Sequence, residues 1–118
     1  MKKTIALFFL IISLSGFSQG NQAKIDSVKK LIETAFNERK PANLYELTGE
    51  DFRKQISEKQ LSQVSTMLYN QLGNWKNTEF QKNTNGVALY KAIFEKANQN
   101  FFLSLDKKDK ISTLLFQP

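Results

Sequence analysis

The sequence contains no histidine and no cysteine, and it has only five glycines and two prolines in 118 residues. Without histidine it lacks the side chain that most often acts as a general base and as a metal ligand. Without cysteine it lacks thiol nucleophiles, thiolate metal ligands and disulfides. The scattered glycines form no phosphate-binding loop. We therefore predict no catalytic residue, no metal site and no cofactor, and a fold that an ordinary hydrophobic core stabilises.

The formal net charge is +6, from 17 Lys and Arg against 11 Asp and Glu. A basic balance is typical of chains that bind nucleic acid or anionic surfaces. Here the basic residues are spread along the chain, and only Lys107, Lys108 and Lys110 cluster, beside Asp106 and Asp109. This pattern favours a solvated face and a polar turn, so we expect no nucleic-acid partner.

The first eighteen residues follow the pattern of a secretory signal peptide. Lys2 and Lys3 form a positive start, residues 5–14 form an apolar stretch, and Gly16 and Ser18 supply the small residues of a cleavage site. A spanning helix needs about 20 apolar residues, and a lipoprotein needs a cysteine at its cleavage site. We expect residues 1–18 to be removed, which leaves residues 19–118 as one exported domain, periplasmic or extracellular, without a stable membrane anchor.

The first half of the remaining chain has helical periodicity. Apolar residues recur every three or four positions from Ile25 to Phe36. Thr48 precedes two acidic residues, which is the order of a capping residue and a helix start. Ser57 and Gln60 have the spacing of a capping box for a longer helix. Gly73 stands where that helix would end in a left-handed conformation.

The second half changes to the period of strands. Asn85-Gly86 is a strong hairpin signal, because both positions of the favoured turn have positive φ. Residues 97–100 are predicted to form a polar turn. The predicted strands are 75–82, 87–96, 101–105 and 111–116. Together with the first half they predict an α+β fold, with three N-terminal helices packed on a curved four-stranded antiparallel sheet.

The second strand is apolar on both faces. One face carries Val87, Leu89 and Ile93, and the other carries Ala88, Tyr90, Ala92 and Phe94. A sheet with one solvated face would alternate more cleanly between apolar and polar residues. We expect the face of Val87, Leu89 and Ile93 either to contact a partner, in a homodimer or with another cell-envelope protein, or to be covered by strong curvature of the sheet.

Aromatic residues make up 12% of the chain, which is enough to line an apolar pocket between helices and sheet. A small apolar ligand is the partner that such a pocket implies. Aromatic residues at these spacings also form filled cores, and the sequence leaves both alternatives open. The candidate pocket residues are Tyr45, Phe52, Trp75, Tyr90, Phe94 and Phe101.

Several segments of the chain resemble a known family. They are FN at 36–37, LTGEDFRKQIS at 47–57, LYNQLG at 68–73, NGVALYKAIFE at 85–95 and LSLDKKDKISTLLFQP at 103–118. They are similar to an uncharacterised domain of the nuclear-transport-factor-two-like (cystatin-like) superfamily. That domain stands, after a signal peptide, in front of serine-hydrolase or peptidase domains in exported bacterial proteins, and here it is expected to stand alone.

The resemblance implies a cone-shaped cavity, which enzymes of the superfamily use for small apolar substrates and other members use for binding or pairing. The enzymes usually place a His, Asp or Tyr there, and this chain has no His. We therefore predict an exported, non-enzymatic binding or interaction module. The alternatives are a cone-cavity enzyme that uses Tyr45, Tyr90 or a buried glutamate as acid or base, and an accessory domain that modulates an exported serine hydrolase.

Overall fold

The computed structural model describes residues 22–118, so the predicted signal peptide lies outside the described residues. Four helices come first: α1 (Gln22–Asn37), α2 (Pro41–Glu46), α3 (Glu50–Gln55) and α4 (Glu58–Leu72). Four strands follow: β1 (Trp75–Thr84), β2 (Val87–Phe94), β3 (Asn98–Leu105) and β4 (Ile111–Gln117). The α+β prediction is confirmed. Within residues 22–118 the helical half contains four helices where three were expected, because two short helices lie between α1 and α4.

The capping box at the start of α4 forms as predicted. The Gln60 backbone N–H donates to Ser57 Oγ at 3.1 Å, and the Ser57 N–H donates to Gln60 Oε1 at 2.8 Å. At the other end of α4, Gly73 has a positive φ of 80° but an extended ψ of −157°. It therefore adopts a conformation that is almost exclusive to glycine, and the prediction of a left-handed cap is wrong in its ψ.

The prediction that Thr48 caps α3 is wrong by one residue, because Gly49 occupies the cap position without a side-chain bond. The Thr48 hydroxyl instead donates to the Tyr45 carbonyl at 2.6 Å and accepts from Arg53 Nε at 3.0 Å. Strand pairing determines this register: the Gly49 N–H donates to the Ile111 carbonyl, and the Ile111 N–H donates to the Leu47 carbonyl. These two hydrogen bonds connect the segment between α2 and α3 to the start of β4.

The sheet is an antiparallel meander in the order β1-β2-β3-β4. Asn85 (φ 52°) and Gly86 (φ 86°) form the predicted hairpin turn between β1 and β2. β3 begins at Asn98, three residues earlier than expected, and Asn98 pairs with Ile93. The prediction of a turn through residue 100 is wrong, because residues 98–100 already belong to β3. Asn98 and Asn100 are exposed in this strand, and Gln99 between them is buried.

The core lies between the helices and one face of the sheet, which we call the inner face. On that face an aromatic row runs in register from Phe80 through Tyr90 and Phe101 to Phe116. The helices contribute buried apolar side chains from α1 and α4, among them Ile25, Ile32, Leu61, Leu68 and Leu72. Among the described residues, the core extends from Ile25 of α1 to Phe116 of β4 and draws on both the helices and the sheet.

Candidate functional site

Trp75, Phe94 and Phe101 are brought together on the inner face and are at most 4% exposed. The ring centroids of Trp75 and Phe94 are 5.0 Å apart, and those of Trp75 and Phe101 are 5.2 Å apart in an edge-to-face arrangement. Phe36 of α1 and Phe116 of β4 pack against the same indole ring at 5.8 and 5.6 Å. These aromatic residues therefore contact one another closely, at distances typical of core packing.

The other candidate pocket residues lie in different surroundings. Phe52 of α3 is fully buried in the hydrophobic core. Tyr45 of α2 is half-buried beneath the guanidinium of Arg53, whose carbon lies 4.6 Å from the ring centroid. Arg53 Nη2 also donates to the Tyr45 carbonyl at 2.9 Å, so the pair joins α2 to α3. Tyr90 is buried in the aromatic row, but its hydroxyl reaches the polar side of α1.

The hydroxyl of Tyr90 belongs to a hydrogen-bonded cluster with two residues of α1. It donates to Asp26 Oδ1 at 2.6 Å and accepts from Gln22 Nε2 at 3.0 Å. Gln22 Nε2 also donates to Asp26 Oδ1 at 2.9 Å, and Asn83 of β1 donates to Gln22 Oε1. Burial, and then the hydrogen bond to the Asp26 carboxylate, raise the pKa of Tyr90 well above its ordinary value. Tyr90 is therefore a persistent hydrogen-bond donor that holds α1 against the sheet.

A second polar cluster follows one helical turn further along α1. Lys29 Nζ lies 3.4 Å from Glu33 Oε2 and 5.9 Å from the centroid of the Tyr90 ring. The Thr78 hydroxyl of β1 donates to the same Glu33 oxygen, and Trp75 Nε1 donates to Thr78 Oγ1 at 2.7 Å. Asp26, Lys29 and Glu33 stand between the apolar residues of α1, and helical spacing places them off its apolar stripe. The structure places them along the seam between α1 and the first two strands.

The sheet face opposite the helices, which we call the outer face, carries an apolar row. Leu89 of β2, Phe102 of β3 and Leu115 of β4 are paired in register and half-buried. Val87 and Ile93 alternate with buried inner residues on the same strand, so the predicted residues of this face do lie together. The run Leu114, Leu115 and Phe116 repeats the two-faced apolar pattern of the second strand, so the sequence indicates Leu115. Sequence analysis missed Phe102, whose signal was the doubling of apolar residues at 101–102.

A pocket of about 190 Å³ lies between the end of α1, the start of α2 and the exposed side of α4. Its wall includes Phe36, Leu44 and Tyr69, and its rim includes Arg39 and Lys40. None of the six candidate pocket residues lines it. Sequence analysis did not find this pocket, because its residues come from three helices and share no motif.

Between residues 22 and 118, no three acidic side chains come close enough together to hold a metal ion. No helix in this part of the chain is long and apolar enough to cross a membrane. Comparisons with protein-family models, with curated proteins and with solved structures find no significant match to this chain. The family resemblance therefore stays a prediction.

Proposed function

We propose that this chain is an exported, non-enzymatic interaction module that pairs with a second copy of itself through the outer face of its sheet. The apolar row Leu89–Phe102–Leu115 is the observation that carries the proposal. Three large apolar side chains lie in register across adjacent strands, on the face opposite the helices. Removing their remaining exposed surface from water favours association by about 25 cal/mol for each Å² that is buried.

The polar residues of the outer face suit a second copy of the same chain. Glu79 of β1 and Lys91 of β2 are paired in register, and Lys91 shares its face with the apolar row. Lys82 stands beside Leu89 on the same face. A two-fold dimer brings one surface against itself, so a surface that carries charges of both signs can place each charge opposite one of the other sign across the axis. Charge complementarity of this kind orients the two copies.

The close packing of the inner face argues against a catalytic cavity there. Its aromatic residues pack against one another, and the Tyr90 hydroxyl already donates to Asp26 and accepts from Gln22. Tyr90 is one of the residues that the cone-cavity alternative would use as acid or base. Here its hydroxyl and the Asp26 carboxylate bind each other, and the pair connects α1 to the sheet. The absence of histidine from the whole sequence also argues against catalysis.

Export rests on the three-part pattern of residues 1–18. N-terminal sequencing of the protein secreted by a bacterial host is the direct test. We expect Gln19 as the first residue. A mature protein that begins at Met1 would contradict export with cleavage.

Self-association is tested by light scattering and sedimentation of residues 19–118 over a series of protein concentrations. We expect the mass to rise from monomer to dimer with concentration. Leu89→Glu and Phe102→Glu each place a charge in the apolar row and should leave a monomer at every concentration. Gln63→Glu, at an exposed position of α4, adds the same charge away from the sheet and should still dimerise.

Two outcomes would overturn the proposed pairing. One is a wild-type chain that stays monomeric at high micromolar concentration. The other is a wild-type chain that captures a different envelope protein when the Leu89→Glu variant does not, because this result assigns the outer face to a heterologous partner. Circular dichroism of both Glu variants checks that they remain folded.

A further inference from the structure

The pocket between α1, α2 and α4 combines an apolar wall with a positively charged rim. Phe36 and Leu44 are 6% and 4% exposed and form part of its apolar wall together with Tyr69. Arg39 and Lys40 lie at its edge and are exposed to solvent. Polar groups that converge on an apolar concavity are the usual composition of a small-molecule site.

The end of α1 positions Arg39 at this rim. The Lys40 N–H donates to the Ala35 carbonyl at 2.9 Å, and the Arg39 N–H donates to the Phe36 carbonyl at 3.1 Å. This is the double hydrogen bond of a Schellman motif, whose left-handed position glycine usually occupies. Arg39 occupies it with a φ of 57°. This conformation is less favourable for a residue with a side chain than for glycine.

The guanidinium of Arg39 is held in place by an aromatic ring. Its central carbon lies 3.5 Å from the centroid of the Tyr69 ring, and Nη1 donates to the Asn37 carbonyl at 3.1 Å. Tyr69 in turn packs against Phe36, with 6.0 Å between the ring centroids. Stacking on one face leaves the edge of the planar guanidinium available for a bidentate contact, which is the geometry that carboxylates favour.

The residues that line the pocket carry a net positive charge. Its wall and rim contain two cations and no carboxylate. The four ion pairs found among residues 22–118 do not include Arg39. Lys40 pairs with Glu38 at 3.6 Å, but both side chains are more than half exposed, so this pair contributes little. An anion at the rim would therefore meet an uncompensated positive charge.

We infer that this pocket binds a small organic carboxylate with an apolar tail, the tail against Phe36 and Leu44 and the carboxylate on Arg39. The pocket has a volume of about 190 Å³. This is smaller than the range of about 300–1,000 Å³ that drug-sized ligands need. A short aliphatic acid matches both the size of the pocket and its charge.

Nuclear magnetic resonance of ¹⁵N-labelled residues 19–118 tests this inference with three probes of equal chain length: hexanoate, hexan-1-ol and hexylammonium. We expect hexanoate to shift the amide signals of Phe36, Arg39 and Tyr69 in a saturable manner. Hexan-1-ol should bind about tenfold more weakly, because it lacks the charge, and hexylammonium more weakly still. The inference fails if hexanoate gives no saturable shift at these residues, or if hexylammonium binds as tightly as hexanoate.

Variants of Arg39 separate binding from folding. Arg39→Gln keeps a side chain at the left-handed position and removes the charge, so we expect the Kd for hexanoate to rise about tenfold while the affinity for hexan-1-ol is unchanged. Arg39→Lys restores the charge without the planar fork and should recover part of the loss. An Arg39→Gln variant that binds hexanoate as tightly as the wild type would overturn the assignment.

Lys108→Gln is the matched control, since it removes one positive charge from the turn between β3 and β4. That turn lies at the opposite end of α1, where Lys24 Nζ contacts Asp109 at 2.8 Å. We expect this variant to bind hexanoate like the wild type. A loss equal to that of Arg39→Gln would show a general effect of net charge and would overturn the site. Leu89→Glu should also bind hexanoate normally, so a failure of self-association is distinguishable from a failure of the pocket.

Discussion

Two neighbouring phenylalanines of β3 show how the two faces of the sheet differ. Phe101 points to the inner face, is 0% exposed and stacks on Phe116 with 4.9 Å between the ring centroids. Phe102 points to the outer face, where it is half-buried between Leu89 and Leu115. The strand, residue type and main-chain geometry are shared. Phe101 is buried because the helices cover the inner face, and Phe102 stays partly exposed because they do not cover the outer face. Apolar content alone therefore does not make a sheet face part of the core.

The contrast has an energetic consequence. On the inner face, the buried aromatic rings are held by rings from other elements, so truncating one of them leaves a cavity that the neighbours cannot fill. On the outer face, truncation removes apolar area that is already partly in contact with water. The inner face therefore contributes to the stability of one chain, and the outer face contributes most when a second chain covers it.

The largest expected effect comes from comparing Phe101→Ala with Phe102→Ala. Phe101→Ala should lower the free energy of unfolding by about 3–5 kcal/mol, because it empties a fully buried site. Phe102→Ala should lower it by about 1 kcal/mol in the monomer, since its side chain is partly exposed to water and its truncation leaves no closed cavity. Urea unfolding of residues 19–118 measures both changes. Equal losses would contradict the difference between the faces.

The same pair of variants responds to protein concentration in different ways. If the outer face pairs, association stabilises the wild type by mass action, and its unfolding midpoint rises with concentration. Phe102→Ala should weaken this rise. A midpoint of the wild type that does not depend on concentration would contradict pairing through the outer face.

An intermediate effect is expected for Tyr90→Phe, which removes the hydroxyl between the aromatic row and α1. The hydrogen bond to the Asp26 carboxylate is charge-assisted, so its loss should lower the free energy of unfolding by about 1.5–3 kcal/mol at neutral pH. Urea unfolding measures this loss. A change close to zero would show that the hydroxyl does not connect α1 to the inner face.

The Tyr90→Phe variant also has a predicted pH dependence. Because the folded chain raises the pKa of Tyr90 above its ordinary value of 10.0, the unfolded chain releases this proton first as the pH rises. The unfolded state then binds fewer protons than the folded state, and stability falls with increasing pH. We expect the wild type to lose stability more steeply than Tyr90→Phe above pH 10.0, and the two curves to run parallel below it. Curves that stay parallel above that pH would contradict the raised pKa.

The smallest expected effect is on the outer side of β3 and β4, where the hydroxyls of Ser104 and Ser112 lie 2.9 Å apart. Ser104→Ala or Ser112→Ala alone should lower the free energy of unfolding by about 0.5–1.5 kcal/mol, because each leaves the other hydroxyl without this partner. The double variant should lose less than the sum of the two. A double-mutant cycle by urea unfolding checks this, and strict additivity would show that the hydroxyls do not interact.

Local signals in the sequence predicted the parts of the fold that depend on neighbouring residues. The Ser57–Gln60 capping box and the Asn85-Gly86 turn formed as expected, because their hydrogen bonds and dihedral angles involve only a few adjacent residues. The cap at Thr48 and the start of β3 were wrong, because pairing with distant strands determined them. The candidate pocket residues were chosen by spacing, and spacing does not show whether other rings occupy the space between them.

The sequence by itself determined the α+β class, the order of helices before strands and the two apolar faces of the second strand, since these follow from periodicity and turn chemistry. Only the tertiary structure decided which face the helices cover, where Tyr90 finds its carboxylate and how Arg39 comes to lie over Tyr69. These contacts join residues that are far apart in the chain. They depend on how the helices pack against the sheet and each other, and no local pattern encodes that packing.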